Sequence, residues 1–314
     1  MKKPIKKTIK KTIKKTAKRT VSRRNSAGDP LAPIPLPVQA PVSEGMAPLP
    51  GGARLWYWDT GGKGHPVVLL HPASGSGLIW GYQQPVFAKA GYRVISYSRR
   101  GFYKSDPISA DDPGIGAEDL HNLIEYLGLD KFHAVASAAG GSIASEYAAT
   151  HPERLRSLTI SSNPCGVRTG YVSDMWVSIR PDNWRDMPRW FWEVGPSYRA
   201  ANPAGVKAWS ELEDKSSQGK AHAVSQKNAI TVTDKTLETM RVPTLLMTGG
   251  ADLATPPFVI RTVAKHVPNC EVVIVPEAGH SLYWERPDAF NRAVLDFIGR
   301  QSKKKRKSKK TKKA

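Results

Sequence analysis

The stretch at residues 132–142, F-H-A-V-A-S-A-A-G-G-S, decides the fold. Its apolar first half predicts a strand, and the small residues after it predict a sharp turn into a helix. This order is typical of a nucleophile elbow, in which the residue at the apex of the turn carries the attacking atom. The predicted apex is Ala138, which carries no such atom. The segment therefore predicts a catalytic layout without its nucleophile.

The register of this turn decides which residue stands at the apex. If Ser137 were the apex, the β-branched Val135 would occupy a flanking position that tolerates only small side chains. With Ala138 at the apex, the flanking residues are Ala136 and Gly140, both small. We therefore assign Ala138 to the nucleophile position.

Short apolar runs alternate with helical patterns from residue 54 onward. The predicted strands are 55–58, 67–70, 93–97, 133–136, 157–160, 244–247 and 271–275. The predicted helices are 116–126, 140–150, 256–266 and 287–300. Apolar strands separated by helices predict a mostly parallel sheet with helices on both faces, and ligands bind beyond the carboxyl ends of such strands.

A long insertion interrupts this alternation at about residues 166–236. It contains five of the nine tryptophans, at positions 176, 184, 190, 192 and 209. A helical lid over an apolar pocket that holds a small-molecule substrate accounts for these rings. Packing of the insertion onto the body is the alternative for most of them.

The net charge of +20 belongs to the two ends of the chain. Residues 1–24 contain 12 Lys and Arg and residues 301–314 contain 9, with no acidic residue in either segment. The rest of the chain has 26 basic and 27 acidic residues. We predict a disordered basic tail and proline-rich linker over 1–49, a catalytic-size domain over 50–300 and a disordered basic tail over 301–314.

The tails leave two interpretations open, a solvated segment without a partner or nonspecific contact with nucleic acid or another anionic surface. The segment Ser22–Arg23–Arg24 resembles the start of a twin-arginine export signal, but no apolar region follows it. No apolar run reaches the length of a transmembrane segment, and we predict a cytoplasmic protein. The two cysteines are far apart and have no metal-ligand spacing.

Four segments resemble those of the α/β-hydrolase fold family. H-P-A-S-G at 71–75 is similar to the oxyanion-hole loop, with Pro72 where glycine is usual, and R-G-F-Y-K-S-D at 100–106 is similar to an R-G-x-G-x-S turn. The elbow at 136–141 follows, and then come G-G-A-D at 249–252 and G-H at 279–280. The resemblance covers most of residues 50–300 and implies an α/β-hydrolase fold with an inserted helical lid.

The resemblance implies roles for the residues at the strand ends. His280 corresponds to the catalytic histidine and Asp252 to the carboxylate that orients it, while the backbone N–H groups of Ala73 and Ala139 form an oxyanion hole. Asp252 as a turn residue and His280 as a core histidine are the alternatives. Because Thr255 with the following proline predicts a helix cap, Asp252 is free for the orienting role.

Further candidates are less specific. Ser137, Ser74, Trp176 and Arg199 are candidate substrate contacts, although Ser137 fits a hydrogen bond within the turn and Arg199 fits a brace within the lid. His71 is expected to brace its loop, and Cys165 to be a small buried residue. In the absence of a glycine-rich phosphate loop or a metal-ligand cluster, we predict neither cofactor nor metal.

A serine-less elbow excludes acyl-enzyme chemistry that starts at Ala138. The arrangement resembles that of aminoacrylate hydrolases, which implies a cofactor-free hydrolytic or lyase reaction on a small labile substrate. Two other interpretations remain open. The domain binds a ligand without turnover, or the sequence is an inactivated form of an ordinary esterase.

Overall fold

A computed structural model describes residues 32–168, 170–217 and 225–311. The segment before residue 32, including the predicted basic tail and the twin-arginine-like start, lies outside the described residues. The described residues from Pro33 onward belong to one compact unit. The predicted disordered tail at the C-terminus is described as far as residue 311.

In the described residues, eight strands form one sheet in the order β1-β2-β4-β3-β5-β6-β7-β8. The first two, β1 and β2, are antiparallel to their neighbours, and from β4 across to β8 the strands are parallel. Their bounds are β1 Ser43–Pro48, β2 Arg54–Asp59, β3 Pro66–Leu70, β4 Arg93–Tyr97, β5 Phe132–Ser137, β6 Leu155–Ser161, β7 Thr244–Gly249 and β8 Cys270–Val275. The mostly parallel sheet that the sequence predicted is therefore present.

The helices lie on both faces of this sheet and within the insertion. Those of the body are α1 Gln84–Lys89, α2 Gly116–Tyr126, α3 Ala139–Thr150, α9 Pro257–Ala264, α10 Leu282–Glu285 and α11 Pro287–Thr311. Between β6 and β7 lie α4 Tyr171–Ile179, α5 Arg189–Glu193, α6 Pro196–Ala201, α7 Pro203–Ser217 and α8 Asp234–Thr239. Short 3₁₀ turns are Gly77–Trp80, Pro152–Arg154 and Trp184–Asp186. The predicted insertion is thus helical.

The core forms on both faces because side chains alternate along the central strands. On β3, Val68 and Leu70 join one buried cluster and Val67 and Leu69 join the other. All four side chains are buried, as expected for a strand with neighbours on both sides and helices on both faces. The sheet therefore gives the strand ends a rigid support.

Two predicted boundaries are wrong. The domain begins before residue 50, because β1 lies inside the predicted linker and Gln84 exchanges two hydrogen bonds with the backbone of Ala40. At the other end, α11 continues to Thr311, although disorder was predicted from residue 301. Lysine has a high helix propensity, so a lysine-rich segment can continue an existing helix.

None of the described helices combines the length and hydropathy needed to cross a membrane.

Candidate active site

The turn after β5 has Ala138 at its apex. Ala138 has φ 46° and ψ −118°, a backbone conformation that L-residues rarely adopt and that costs about 1–3 kcal/mol. The helix α3 starts at the next residue. A Cβ on Gly140 would lie 2.4 Å from the carbonyl oxygen of Leu70, so only glycine fits where α3 passes β3. The register was chosen because the residues that flank Ala138 are small, and at Gly140 a small residue is sterically required.

Asp252 and His280 follow the neighbouring parallel strands β7 and β8, which brings their side chains together. His280 Nδ1 lies 2.9 Å from Asp252 Oδ1 and 3.0 Å from Oδ2. Asp252 Oδ2 also accepts a hydrogen bond from Thr248 Oγ1 at 2.8 Å. Both residues are buried. This contact orients the imidazole and leaves Nε2 as the nitrogen available for chemistry.

The predicted helix cap at Thr255 is wrong. The helix α9 starts at Pro257, and its cap position is Pro256, which has no side-chain cap bond. Asp252 Oδ1 instead accepts the N–H groups of Ala254 and Thr255, each at 2.8 Å. Asp252 thus orders its turn and contacts His280 at the same time, so the two roles considered for it are compatible.

The protonation of His280 depends on its buried surroundings. Burial alone would lower the pKa of His280, but Asp252 and, more weakly, Glu193 and Glu285 raise it to about 9. The imidazole is therefore protonated at neutral pH. Because this pKa is higher than the usual 6.5, the pair stabilises the fold fully below pH 6.5 and loses that contribution as the pH rises through about 9.

A cavity of about 300 Å³ lies at this end of the sheet. Ala138 and His280 line it together with Ala73 and Ala139, the two residues whose N–H groups were predicted to form the oxyanion hole. The rest of the lining is Ser142, Ser162, Asn163, Pro164, Gly166, Val167, Arg168, Trp176, Arg180, Trp192, Glu193, Ala254 and Thr255. This lining combines apolar residues with polar and charged ones.

The four candidate substrate contacts have different positions. Trp176 lines the cavity, and its indole N–H donates to the carbonyl of Ala254 at 3.0 Å. Ser74 donates to Glu193 Oε2 at 2.5 Å. Ser137 is buried away from the cavity lining, and its hydroxyl has no hydrogen-bond partner among the described residues, so the predicted turn hydrogen bond is not found.

Arg199 braces the lid, which was the alternative to a substrate contact. Its guanidinium lies 4.4 Å from the centre of the Phe191 ring and donates to the Phe191 carbonyl oxygen. Arg199 does not line the cavity. The charged group of Arg199 therefore contacts another residue of the insertion and not the cavity.

His71 and Cys165 occupy structural positions. His71 Nδ1 lies 2.7 Å from the carbonyl oxygen of Pro72, and Nε2 accepts the backbone N–H of Arg99 at 3.0 Å. The imidazole thus braces the loop that carries Ala73. Cys165 is fully buried, and burial raises the pKa of its thiol, which disfavours the reactive thiolate.

Glu193 and Arg180, like Arg168, are charged residues of the lid that line the cavity without having been predicted. Glu193 ends α5 and is buried, and burial raises the pKa of its carboxyl group. Arg180 follows α4, and its guanidinium lies 4.9 Å from the centre of the Trp176 ring. Both lie in a segment without a motif. The one sequence signal was the density of charged and aromatic residues in the insertion.

The lid is fastened to the loop that carries His280. Glu285 Oε2 accepts the N–H groups of Gly195 at 3.0 Å and Gly279 at 2.9 Å, one from the lid and one from the histidine loop. The N–H of Ser281 donates to the carbonyl of Glu193 at 2.8 Å. These contacts hold the lid residues 193–195 directly against the residues on either side of His280.

Within the described residues, no three His, Cys, Asp or Glu side chains are grouped so that they could hold a metal ion.

Comparison with known proteins agrees with this fold. A 2-hydroxy-6-oxononadienedioate/2-hydroxy-6-oxononatrienedioate hydrolase of Paraburkholderia phymatum is 26% identical over 285 residues, which cover 83% of this chain and 97% of that protein. Another hydrolase of that name, from Dechloromonas aromatica, is 29% identical over 266 residues, 78% of this chain and 90% of the relative.

Among solved structures, a thermophilic esterase from Thermogutta terrifontis has a TM-score of 0.68 at 22% identity and covers 83% of this chain and 99% of its own. At this identity the likeness concerns the fold. The model of the alpha/beta hydrolase family matches residues 67–293. That match spans β3 to α11 and includes the elbow turn, Asp252 and His280. This chain therefore belongs to the alpha/beta hydrolase family.

Proposed function

We propose that the protein is a cofactor-free hydrolase, or lyase, of a small carboxylate-bearing organic substrate. His280, oriented by Asp252, performs the proton transfers without a serine nucleophile. The observation that carries the proposal is the 2.9 Å contact between His280 Nδ1 and Asp252, in a cavity that Ala138 also lines. A domain that only binds a ligand does not require this oriented pair.

Water takes the place of the missing nucleophile in this proposal. The methyl group of Ala138 leaves room at the apex where a serine would extend further into the cavity. His280 Nε2 accepts a proton from water as the water oxygen attacks the substrate carbonyl. The backbone N–H groups of Ala73 and Ala139 then stabilise the negative oxygen, a contribution that does not depend on the side chain at the apex.

Two arginines in the cavity lining support the proposal that the substrate is anionic. Arg168 and Arg180 line the same cavity as His280, and the rings of Trp176 and Trp184 lie 4.9 and 5.5 Å from the Arg180 guanidinium. An arginine held in place by stacking suits recognition of a carboxylate. Two of the hydrolases that are similar to this chain have dioates in their names, which supports the same substrate class.

The pH dependence of hydrolysis tests the role of His280. Since its pKa is about 9, the base form is scarce at neutral pH, and kcat/KM for 4-nitrophenyl hydrogen succinate should rise about tenfold per pH unit towards pH 9. His280→Ala should remove the enzymatic rate and this pH dependence. The matched control is His266→Ala, because His266 lies outside the cavity and contacts Glu238. Equal rates in the wild type and His280→Ala would overturn the proposed function.

Arg180→Gln tests the substrate class. Loss of a charge-assisted contact of about 1.5–3 kcal/mol should raise KM for 4-nitrophenyl hydrogen succinate about 10- to 100-fold. KM for the neutral 4-nitrophenyl acetate should change little. Arg199→Gln is the control, because it removes a lid arginine that does not line the cavity. The same change in KM for both esters would contradict recognition of a carboxylate by Arg180.

A further inference from the structure

Glu193 connects the two segments that carry the proposed machinery. Its Oε2 accepts the hydroxyl of Ser74 at 2.5 Å, next to Ala73, and lies 3.5 Å from the hydroxyl of Ser281, next to His280. Its own carbonyl accepts the N–H of Ser281. These contacts hold the carboxyl group between the oxyanion loop and the histidine loop.

The second oxygen of this carboxyl group is available to a ligand. Glu193 lines the cavity, and its Oε1 makes no hydrogen bond to any described residue. Ser74 already supplies a donor to Oε2, so a proton on the carboxyl group would lie on Oε1. A proton on Oε1 is therefore the one that Glu193, which lines the cavity, can give to a bound substrate.

The surroundings favour the neutral acid. Burial is the largest influence on the pKa of Glu193 and raises it, while His280, Ser74 and Arg189 act in the opposite direction. The titratable and charged groups that interact with this carboxyl group are His280, Asp252, Arg189, Glu213 and Tyr283. Burial thus opposes the ionisation of Glu193, and a carboxyl group that keeps its proton can donate it to a substrate.

We infer that Glu193 is the general acid of this cavity and gives its Oε1 proton to the leaving group of the substrate. This inference rests on the proposed function. Water attacks the carbonyl carbon and its proton passes to His280 Nε2, while the carbonyl electrons move to the oxygen near Ala73 and Ala139. When the oxyanion collapses, the bond to the leaving group breaks and the leaving atom takes the proton of Glu193. Transfer of a proton from His280 to Glu193 restores the starting state.

The dependence on the leaving group distinguishes a general acid from a structural residue. A nitrophenolate departs without protonation, whereas an alkoxide needs a proton. We expect Glu193→Gln to lower kcat for ethyl hydrogen succinate about 100-fold or more, while kcat for 4-nitrophenyl hydrogen succinate changes little. The control is Glu213→Gln, which removes another carboxylate of the lid, one that pairs with Arg189 and does not line the cavity. It should leave the ratio of the two rates unchanged.

A second measurement does not depend on turnover. In protein labelled with ¹³C at the glutamate carboxyl carbon, one signal that titrates above the usual glutamate range should be present in the wild type and Glu213→Gln and absent in Glu193→Gln. The signal of Glu285, whose pKa is raised to about 7, should remain in all three proteins. If Glu193→Gln fails to fold, Ser74→Ala provides a second test, because it removes the hydroxyl that donates to Glu193 Oε2. This variant should lower the ratio of kcat for ethyl hydrogen succinate to kcat for 4-nitrophenyl hydrogen succinate. Retention in Glu193→Gln of every signal that titrates above the usual glutamate range, or an unchanged ratio, would overturn the role of Glu193.

The two proposals fail in different ways. If His280→Ala abolishes turnover of both esters but Glu193→Gln leaves their ratio unchanged, only the general-acid role is overturned. If His280→Ala has no effect, or neither ester is turned over, the proposed hydrolase function is overturned and the donor role of Glu193 with it.

Discussion

Replacing Ala138 with serine is expected to produce a large gain of esterase activity. Ala138 is at the apex of a turn whose positive φ already matches the strained conformation of a nucleophile elbow. The new hydroxyl would enter a cavity that His280 and the oxyanion loop also line. Since loss of the serine from an intact triad costs about 10⁶ in turnover, recovery of even part of it gives an increase on the order of 10²–10⁴.

Hydrolysis of 4-nitrophenyl acetate, with the size of the initial burst, measures this gain. A burst would show that an acyl-enzyme forms. The gain should disappear in Ala138→Ser with His280→Ala, and it should persist in Ala138→Ser with Ser137→Ala, because Ser137 does not line the cavity. No gain, together with normal folding, would contradict the assignment of Ala138 to the nucleophile position.

Gly140→Ala is expected to be strongly destabilising. The new Cβ would lie 2.4 Å from the carbonyl oxygen of Leu70 and 2.8 Å from that of His71, both backbone atoms that cannot rotate away. We expect the free energy of unfolding to fall by about 3 kcal/mol, the upper part of the range for an overpacked interior. Chemical denaturation measured by circular dichroism gives this value.

Gly299→Ala is the matched control for this change. Gly299 lies within α11, and a Cβ there would meet no heavy atom within 4 Å. Alanine in a helix is favoured over glycine by up to about 1 kcal/mol, so this variant should be as stable as the wild type or more stable. A similar loss of stability in both variants would contradict the steric explanation for Gly140.

The sequence predicted the candidate site residues that come directly after a strand. Asp252 and His280 each follow an apolar strand of a parallel sheet, and such strands bring their carboxyl ends to the same edge. The choice of Ala138 as the apex rested on the size of its neighbours, and that is a local property of the chain. Of the eight strands in the described residues, seven were predicted, because each contains a run of apolar residues.

The missed features depend on tertiary contacts. Strand β1 contains Gly45 and Pro48, lacks an apolar run, and exists because it pairs with β2. Glu193 and Arg180 reach the cavity only because the insertion folds over the strand ends, and neither residue belongs to a periodic pattern. These charged side chains in the cavity lining were missed for this reason.

The carboxyl group of Glu285 has a consequence for how a substrate enters. It binds the backbone of Gly195 and of Gly279, so lid residues 193–195 cannot lift without pulling the histidine loop with them. Rearrangement there would cost two buried hydrogen bonds and disturb the orientation of His280. Arg168, which also lines the cavity, is exposed to solvent and takes no part in these contacts. Under the proposed function, an anionic substrate would meet the exposed Arg168 before it meets the buried Glu193 and His280.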